Sequence, residues 1–74
     1  YARVQNGLGT RYHRGQDVPQ NYETAVKWYR LAAEQGHERA KGKIDDVEAL
    51  LDTSQIETAK KLARECEKKK YMGC

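Results

Sequence analysis

Few residues in this sequence carry chemistry beyond packing. They are Cys66 and Cys74, His13 and His37, and the acidic run Asp45, Asp46 and Glu48. The two cysteines have seven residues between them. Cys66 falls on the apolar face of a helix-forming stretch and Cys74 follows Gly73 at the terminus, an arrangement that fits a disulfide pinning the tail to the last helix. Such a loop would contribute roughly 2–3 kcal/mol by restricting the unfolded chain. The alternative is a buried thiol at 66 and a free thiol at 74, and Cys66 continues the apolar face in either state. A bridge would imply an oxidising compartment, such as a bacterial periplasm or the cell exterior; without one a cytoplasmic location is expected. Redox catalysis does not fit, because the spacing is far from the Cys-x-x-Cys arrangement that tunes a thiolate. Zinc does not fit either: the histidines stand on different segments, and there is no Cys-x-x-Cys or His-x-x-x-His pair. No metal and no cofactor is expected, and both histidines are expected at the surface. Asp45, Asp46 and Glu48 have the right groups for general acid–base work, yet they fall on the polar side of an amphipathic stretch, where a solvated cluster is expected. With no Ser-His-Asp arrangement, phosphate loop or dinucleotide fingerprint, the chain reads as non-enzymatic, with no catalytic residue.

Positioning these groups falls to a chain of 74 residues, one small domain at most. A chain this short buries only about 60% of the surface its unfolded form exposes, so its stability is expected to be marginal without a staple or a neighbour. Hydrophobic residues are 38% and charged residues 34%, with no phenylalanine, a balance that suits thin helical layers better than a closed cavity around a substrate. The longest nearly uncharged run, Ala2 to Thr10 with Arg3 inside it, falls far short of the roughly 20 apolar residues a membrane span needs. Tyr1 falls inside what reads as a helix, so the chain is expected to be a segment of a longer one, and a missing targeting signal says nothing about location. The net charge of +3 is polarised. Lys60, Lys61, Arg64, Lys68, Lys69 and Lys70 crowd the end, while Asp45, Asp46, Glu48, Asp52 and Glu57 precede them. Lysines there also suit a helix C-terminus and a solvated face. No aromatic interleaves the run to stack bases, so nucleic-acid binding is not expected.

The strongest periodicity lies between Tyr22 and Glu34. Tyr22, Ala25, Val26, Tyr29, Ala32 and Ala33 fall on one helical face, with Asn21 as cap, Pro19 blocking helix upstream and Gly36 as the stop. Two small alanines invite a close partner helix, and Trp28 and Tyr29 fill the space beside it. Upstream, Val4, Leu8 and Tyr12 form a narrower stripe that Gly15 ends, and the short loop to Asn21 predicts an antiparallel hairpin. Gly7 and Gly9 each cost up to ~1 kcal/mol inside that first helix, and close approach of a neighbouring backbone is the expected compensation. A third helix is predicted from about His37 to Leu51, with Ala40, Ile44, Val47 and Leu51 inward. A fourth follows, capped by Asp52 with Gln55 or, in a competing register, by Ser54 with Glu57, and carrying Ile56, Ala59, Leu62, Ala63 and Cys66 on its apolar face. The fold class is all-α: about four helices forming antiparallel hairpins stacked as a short α-solenoid.

Val4 and Leu8 recur as Ala40 and Ile44 at an offset of 36 residues, a period of two helices. The residues Leu8-Gly9-x-x-Tyr12-x-x-Gly15, Val18-Pro19-Gln20-Asn21-Tyr22, Ala25, Lys27-Trp28-Tyr29-Arg30 and Ala32-Ala33-Glu34-Gln35-Gly36 closely resemble the Sel-one-like repeat (SLR) family, relatives of the tetratricopeptide repeats. The likeness covers roughly residues 4 to 40 and divides the chain into one SLR hairpin, 1–36, and a degenerate repeat with a capping helix and tail, 37–74. The second part departs from the pattern: Asp45 stands where a glycine is expected, and no tryptophan-tyrosine helix follows Ala40. Leu51 to Ile56, Leu62 to Cys66 and the ending Tyr71-Met72-Gly73-Cys74 are similar to segments that close many bacterial SLR proteins. Asp17 replaces a second loop glycine, and aspartate tolerates the left-handed backbone better than most residues.

The resemblance implies repeat packing by Leu8, Gly9, Tyr12, Gly15, Ala25, Trp28, Tyr29, Ala32, Ala33, Gly36 and Ala40, with Trp28 and Tyr29 as internal glue rather than an aromatic ligand surface. It also implies a scaffold or adaptor whose inner, concave surface holds a protein or peptide. The alternative role is structural, a C-terminal cap whose partner is the preceding repeat of the same chain. Val4, Leu8 and Tyr1 would then form an uncovered apolar strip through which an isolated fragment could pair as a homodimer. Salt-sensitive binding through the basic end is the third reading.

Overall fold

A computed structural model describes residues 2–70, and the chain folds there into four helices: α1 Ala2–Arg14, α2 Tyr22–Glu34, α3 Glu38–Glu48 and α4 Thr53–Lys68. No strand occurs among the described residues. The α1–α2 loop closes on the last carbonyls of α1, which have no partner within the helix. Gly15 takes a left-handed backbone, φ 71°, and turns the chain so that the Gln16 N–H reaches the Arg11 carbonyl at 3.0 Å. The Asn21 N–H donates to the Tyr12 carbonyl at 3.0 Å and the Gln20 side chain to the His13 carbonyl at 2.8 Å. Asp17 sits in the left-handed region at φ 62°. Asn21 then caps α2, its Oδ1 accepting from the Thr24 N–H at 3.1 Å.

At the other end of α2, Gly36 at φ 89° lets the chain reverse. The Gly36 N–H returns to the Ala33 carbonyl at 2.9 Å and the His37 N–H to the Ala32 carbonyl at 3.1 Å, a paired closure of the last turn. His37 serves both helices, since it is also the cap of α3, with Nδ1 accepting from the Ala40 N–H at 3.4 Å. Of the two registers open at α4, the structure takes the earlier. Asp52 accepts from the Gln55 N–H at 2.8 Å while the Gln55 side chain accepts from the Asp52 N–H at 3.0 Å. Ser54 lies inside the helix. The third helix is shorter than its periodicity predicts. It ends at Glu48, and Leu51 joins the core from the turn beyond.

Tyr29 meets Thr10, Gln35 meets Gln5 and Asn21 meets Tyr12, so partners descend in α1 as they rise in α2 and the two helices are antiparallel. Helix α2 is the centre of the molecule and packs against α1, α3 and α4 in turn. Its Ala25, Val26, Tyr29 and Ala32 are fully buried with Ala40 and Val47 of α3 and Ala59 of α4. Tyr12, Tyr22, Ala33, Ile44 and Leu51 close the edges of this cluster. The alanines bring backbones close together, and the single large ring of Tyr29 fills the gap left between them.

A second cluster was not legible in the α2 periodicity. Leu31 is fully buried with Ala63 and Cys66 of α4, and Trp28 packs against them half-buried. These residues fall outside the face running from Tyr22 to Ala33, yet α4 covers them, so α2 is buried on more than one side. The expectation for Gly7 fails: nothing lies within 4 Å of the point where its side chain would begin. Gly9 does face a close neighbour, but it is the ring of Tyr29 rather than a backbone.

Candidate functional site

Two open clefts flank α1. One, of about 290 Å³, is lined by Val4, Gly7, Leu8 and Arg11. Val4 is 63% exposed there, so the stripe that begins α1 does not close on the core at its first member. Leu8 is half-buried. The other cleft, of about 510 Å³, lies between α1 and the start of α3 and is lined by Arg3, Asn6, His37, Glu38 and Arg39. Two sets of hydrogen bonds fix the adjoining chain. Buried Gln5 accepts from the Gln35 side chain, which also donates to the Leu31 carbonyl at 3.3 Å, and His37 holds the first turn of α3. The Asn6 Oδ1 is buried and has no donor among the described residues. Arg3 and Arg39 are exposed on the rim, while the Glu38 carboxylate is 3.5 Å from the Lys41 ammonium.

The residues expected to carry chemistry do not converge. Both histidines were expected at the surface, and both are half-buried. His13 stands edge-on to Tyr22 at 5.8 Å and Tyr29 at 6.4 Å between ring centroids. His37 is engaged as a cap. Of the three acids, Asp45 and Asp46 are exposed, but Glu48 leaves that cluster to pair with Arg30 across the α2–α3 contact, both side chains about a quarter exposed. No group of three metal-ligating side chains occurs among the described residues. Cys66 is fully buried beside Leu31 and Ala63; Cys74, and with it the expected bridge, lies outside the described residues, as do Tyr1 and Tyr71 to Gly73.

Among the residues assigned to repeat packing, Ala25, Tyr29, Ala32 and Ala40 are fully buried, Gly9 is buried under the Tyr29 ring, and Tyr12 and Ala33 edge the same cluster. Gly15 and Gly36 act as exposed turns, Trp28 belongs to the second cluster, and Leu8 lines the outer cleft. Burial raises the pKa of the Tyr29 hydroxyl against the opposing pull of its 3.0 Å hydrogen bond to Thr10 and the charge of Arg14. Burial also lowers that of Lys27, whose ammonium lies 4.2 Å from the centre of the Trp28 ring. Lys27 is only 7% exposed. Nothing in the sequence pattern marked it, because lysine normally marks a solvated face.

The hairpin, its alanine contacts and its glycine-terminated second helix coincide with one family unit: residues 2–37 match the family model of the Sel1 repeat. Residues 2–37 form a Sel1-like repeat. No curated protein and no solved structure matches it significantly. Sel1 repeats as a class mediate protein–protein contacts and are generally non-catalytic. No helix among the described residues of this chain is long and apolar enough to cross a membrane.

Proposed function

We propose that this chain is a non-catalytic scaffold or adaptor that holds a protein or peptide partner in the cleft between α1 and α3. The carrying observation is the cleft itself: an open, polar recess between α1, the first helix of the matched Sel1 repeat, and the start of α3, whose first turn is held by the His37 cap. Preorganised polar recesses bind at a lower entropic cost than surfaces that must order on contact. A photo-crosslinking residue placed at Arg39, compared with one at Val4, tests this. Adducts with another protein formed from position 39 support it. Adducts formed only from position 4 favour a second reading, in which the segment is a structural cap whose exposed Val4 and adjoining cleft receive a preceding repeat or another copy of the chain.

The proposed location rests on the cysteines. A Cys66–Cys74 bridge would place the protein in an oxidising setting, periplasmic or extracellular. Thiol titration of the denatured chain decides this. Thiols that react only after reduction support the bridge, and two thiols reactive from the start return the protein to a reducing compartment.

A further inference from the structure

We propose that the cleft between α1 and α3 takes an extended, acidic stretch of polypeptide, with Arg3 and Arg39 holding its carboxylates and Asn6 accepting one of its backbone N–H groups. The inference rests on the binding-module reading above and narrows it to a partner chemistry.

Register is the first support. The offset of 36 that relates Val4 to Ala40 and Leu8 to Ile44 also relates Arg3 to Arg39. The two guanidiniums are therefore not scattered surface charges. They occupy the same station on two successive first helices, and both line one cleft. A ligand running along the stack meets a planar, five-donor group at each unit, a geometry matched to carboxylates rather than to a point charge.

The second support is Asn6, which lines the same cleft. A buried acceptor left without a donor is unfavourable, and the Asn6 Oδ1 is in that position among the described residues. An extended peptide offers a backbone N–H at every residue but proline, and the Asn6 amide can donate in return to the adjoining carbonyl. Against the two arginines the lining carries one acid, Glu38, which lies 3.5 Å from the Lys41 ammonium, so the balance of charge at the cleft is positive.

Fluorescence anisotropy with the 74-residue chain tests this. The probe is a fluorescein-labelled peptide of alternating glutamate and alanine, with glutamine–alanine and lysine–alanine versions for comparison. The glutamate peptide is expected to bind at least about tenfold more tightly than either, and Arg3→Gln and Arg39→Gln are each expected to weaken it by about tenfold. Asn6→Ala is expected to weaken it about fivefold while leaving the salt dependence unchanged, because it removes hydrogen bonds and no charge. Circular dichroism establishes that each variant keeps its helices. Equal binding by the arginine variants overturns the proposal, as does an equal loss in Lys61→Gln with Lys68→Gln, which would place the attraction on α4. Failure of all three peptides to bind also overturns it. If position 39 nevertheless crosslinks to a partner protein, the adaptor reading stands and only the acidic ligand is wrong.

Discussion

Two glycines of α1 only two positions apart carry opposite consequences. A methyl group at Gly9 would come within 2.7 Å of the Tyr29 ring, which is fully buried and has nowhere to move. Gly9→Ala is therefore expected to lower stability by roughly 1–3 kcal/mol despite the better helix propensity of alanine. At Gly7 a methyl meets nothing within 4 Å, so Gly7→Ala should raise stability by about 0.5–1 kcal/mol. Urea unfolding of the two variants side by side checks both signs. Tyr29 adds a pH dependence. Its hydroxyl keeps its proton in the fold to higher pH than in the unfolded chain, which ionises near 10, so the unfolded state binds fewer protons and stability falls as pH rises beyond about 10. Tyr29→Phe should cost about 1 kcal/mol at neutral pH through the lost bond to Thr10, and should flatten the alkaline decline measured by urea midpoints.

Individual helices are set by their ends and by the number of neighbours they meet. The α4 start depends on two reciprocal hydrogen bonds between Asp52 and Gln55, and Asp52→Ala should cost about 1 kcal/mol of stability, seen as a lower denaturant midpoint with an unchanged slope. Asp52→Asn should cost much less, because the amide oxygen also accepts. Helix α2 behaves as a core element with more than one buried face. Leu31→Ala empties a fully buried site against Ala63 and Cys66 and should cost about 2–5 kcal/mol, whereas Val4→Ala, at a position largely in water, should stay within about 0.5 kcal/mol. Thermal unfolding of this pair would show whether α4 is integral to the fold: a small effect at Leu31 would mean that α4 is only loosely docked.

For the molecule as a whole, stability rests on a core that among the described residues consists of alanines, Val26, Val47, Leu31, Tyr29 and Cys66, and the proposed bridge starts from its last member. If Cys66 and Cys74 are joined, reduction should remove roughly 2–3 kcal/mol, which for a domain of this size lowers the melting temperature by roughly 10 °C or more. Calorimetry with and without reductant measures it. Cys66→Ala alone would be ambiguous, since it also opens a cavity, so Cys74→Ser is the cleaner variant.

Local features were legible in the residues. Asn21, Gly36 and the Asp52–Gln55 pair act within a turn of themselves, and the Tyr22-to-Ala33 face needs only the helical period to be read, so sequence alone gave four helices, the first hairpin and the likeness to a Sel1 repeat. What required the tertiary structure was which side of each helix meets another. Leu31 and Trp28 count as core only because α4 lies over them. Glu48 is withdrawn from its acidic neighbours by Arg30, 18 residues away. Val4 shares a stripe with Leu8 and Tyr12 yet stays in water, and Gly9 differs from Gly7 by one ring. The grouping of Arg3, Asn6 and Arg39 likewise exists only once α1 and α3 sit together against α2. Caps and periodicity report the chain's own backbone geometry, but burial and electrostatics depend on the neighbours that arrive from distant parts of the chain, which no local pattern encodes.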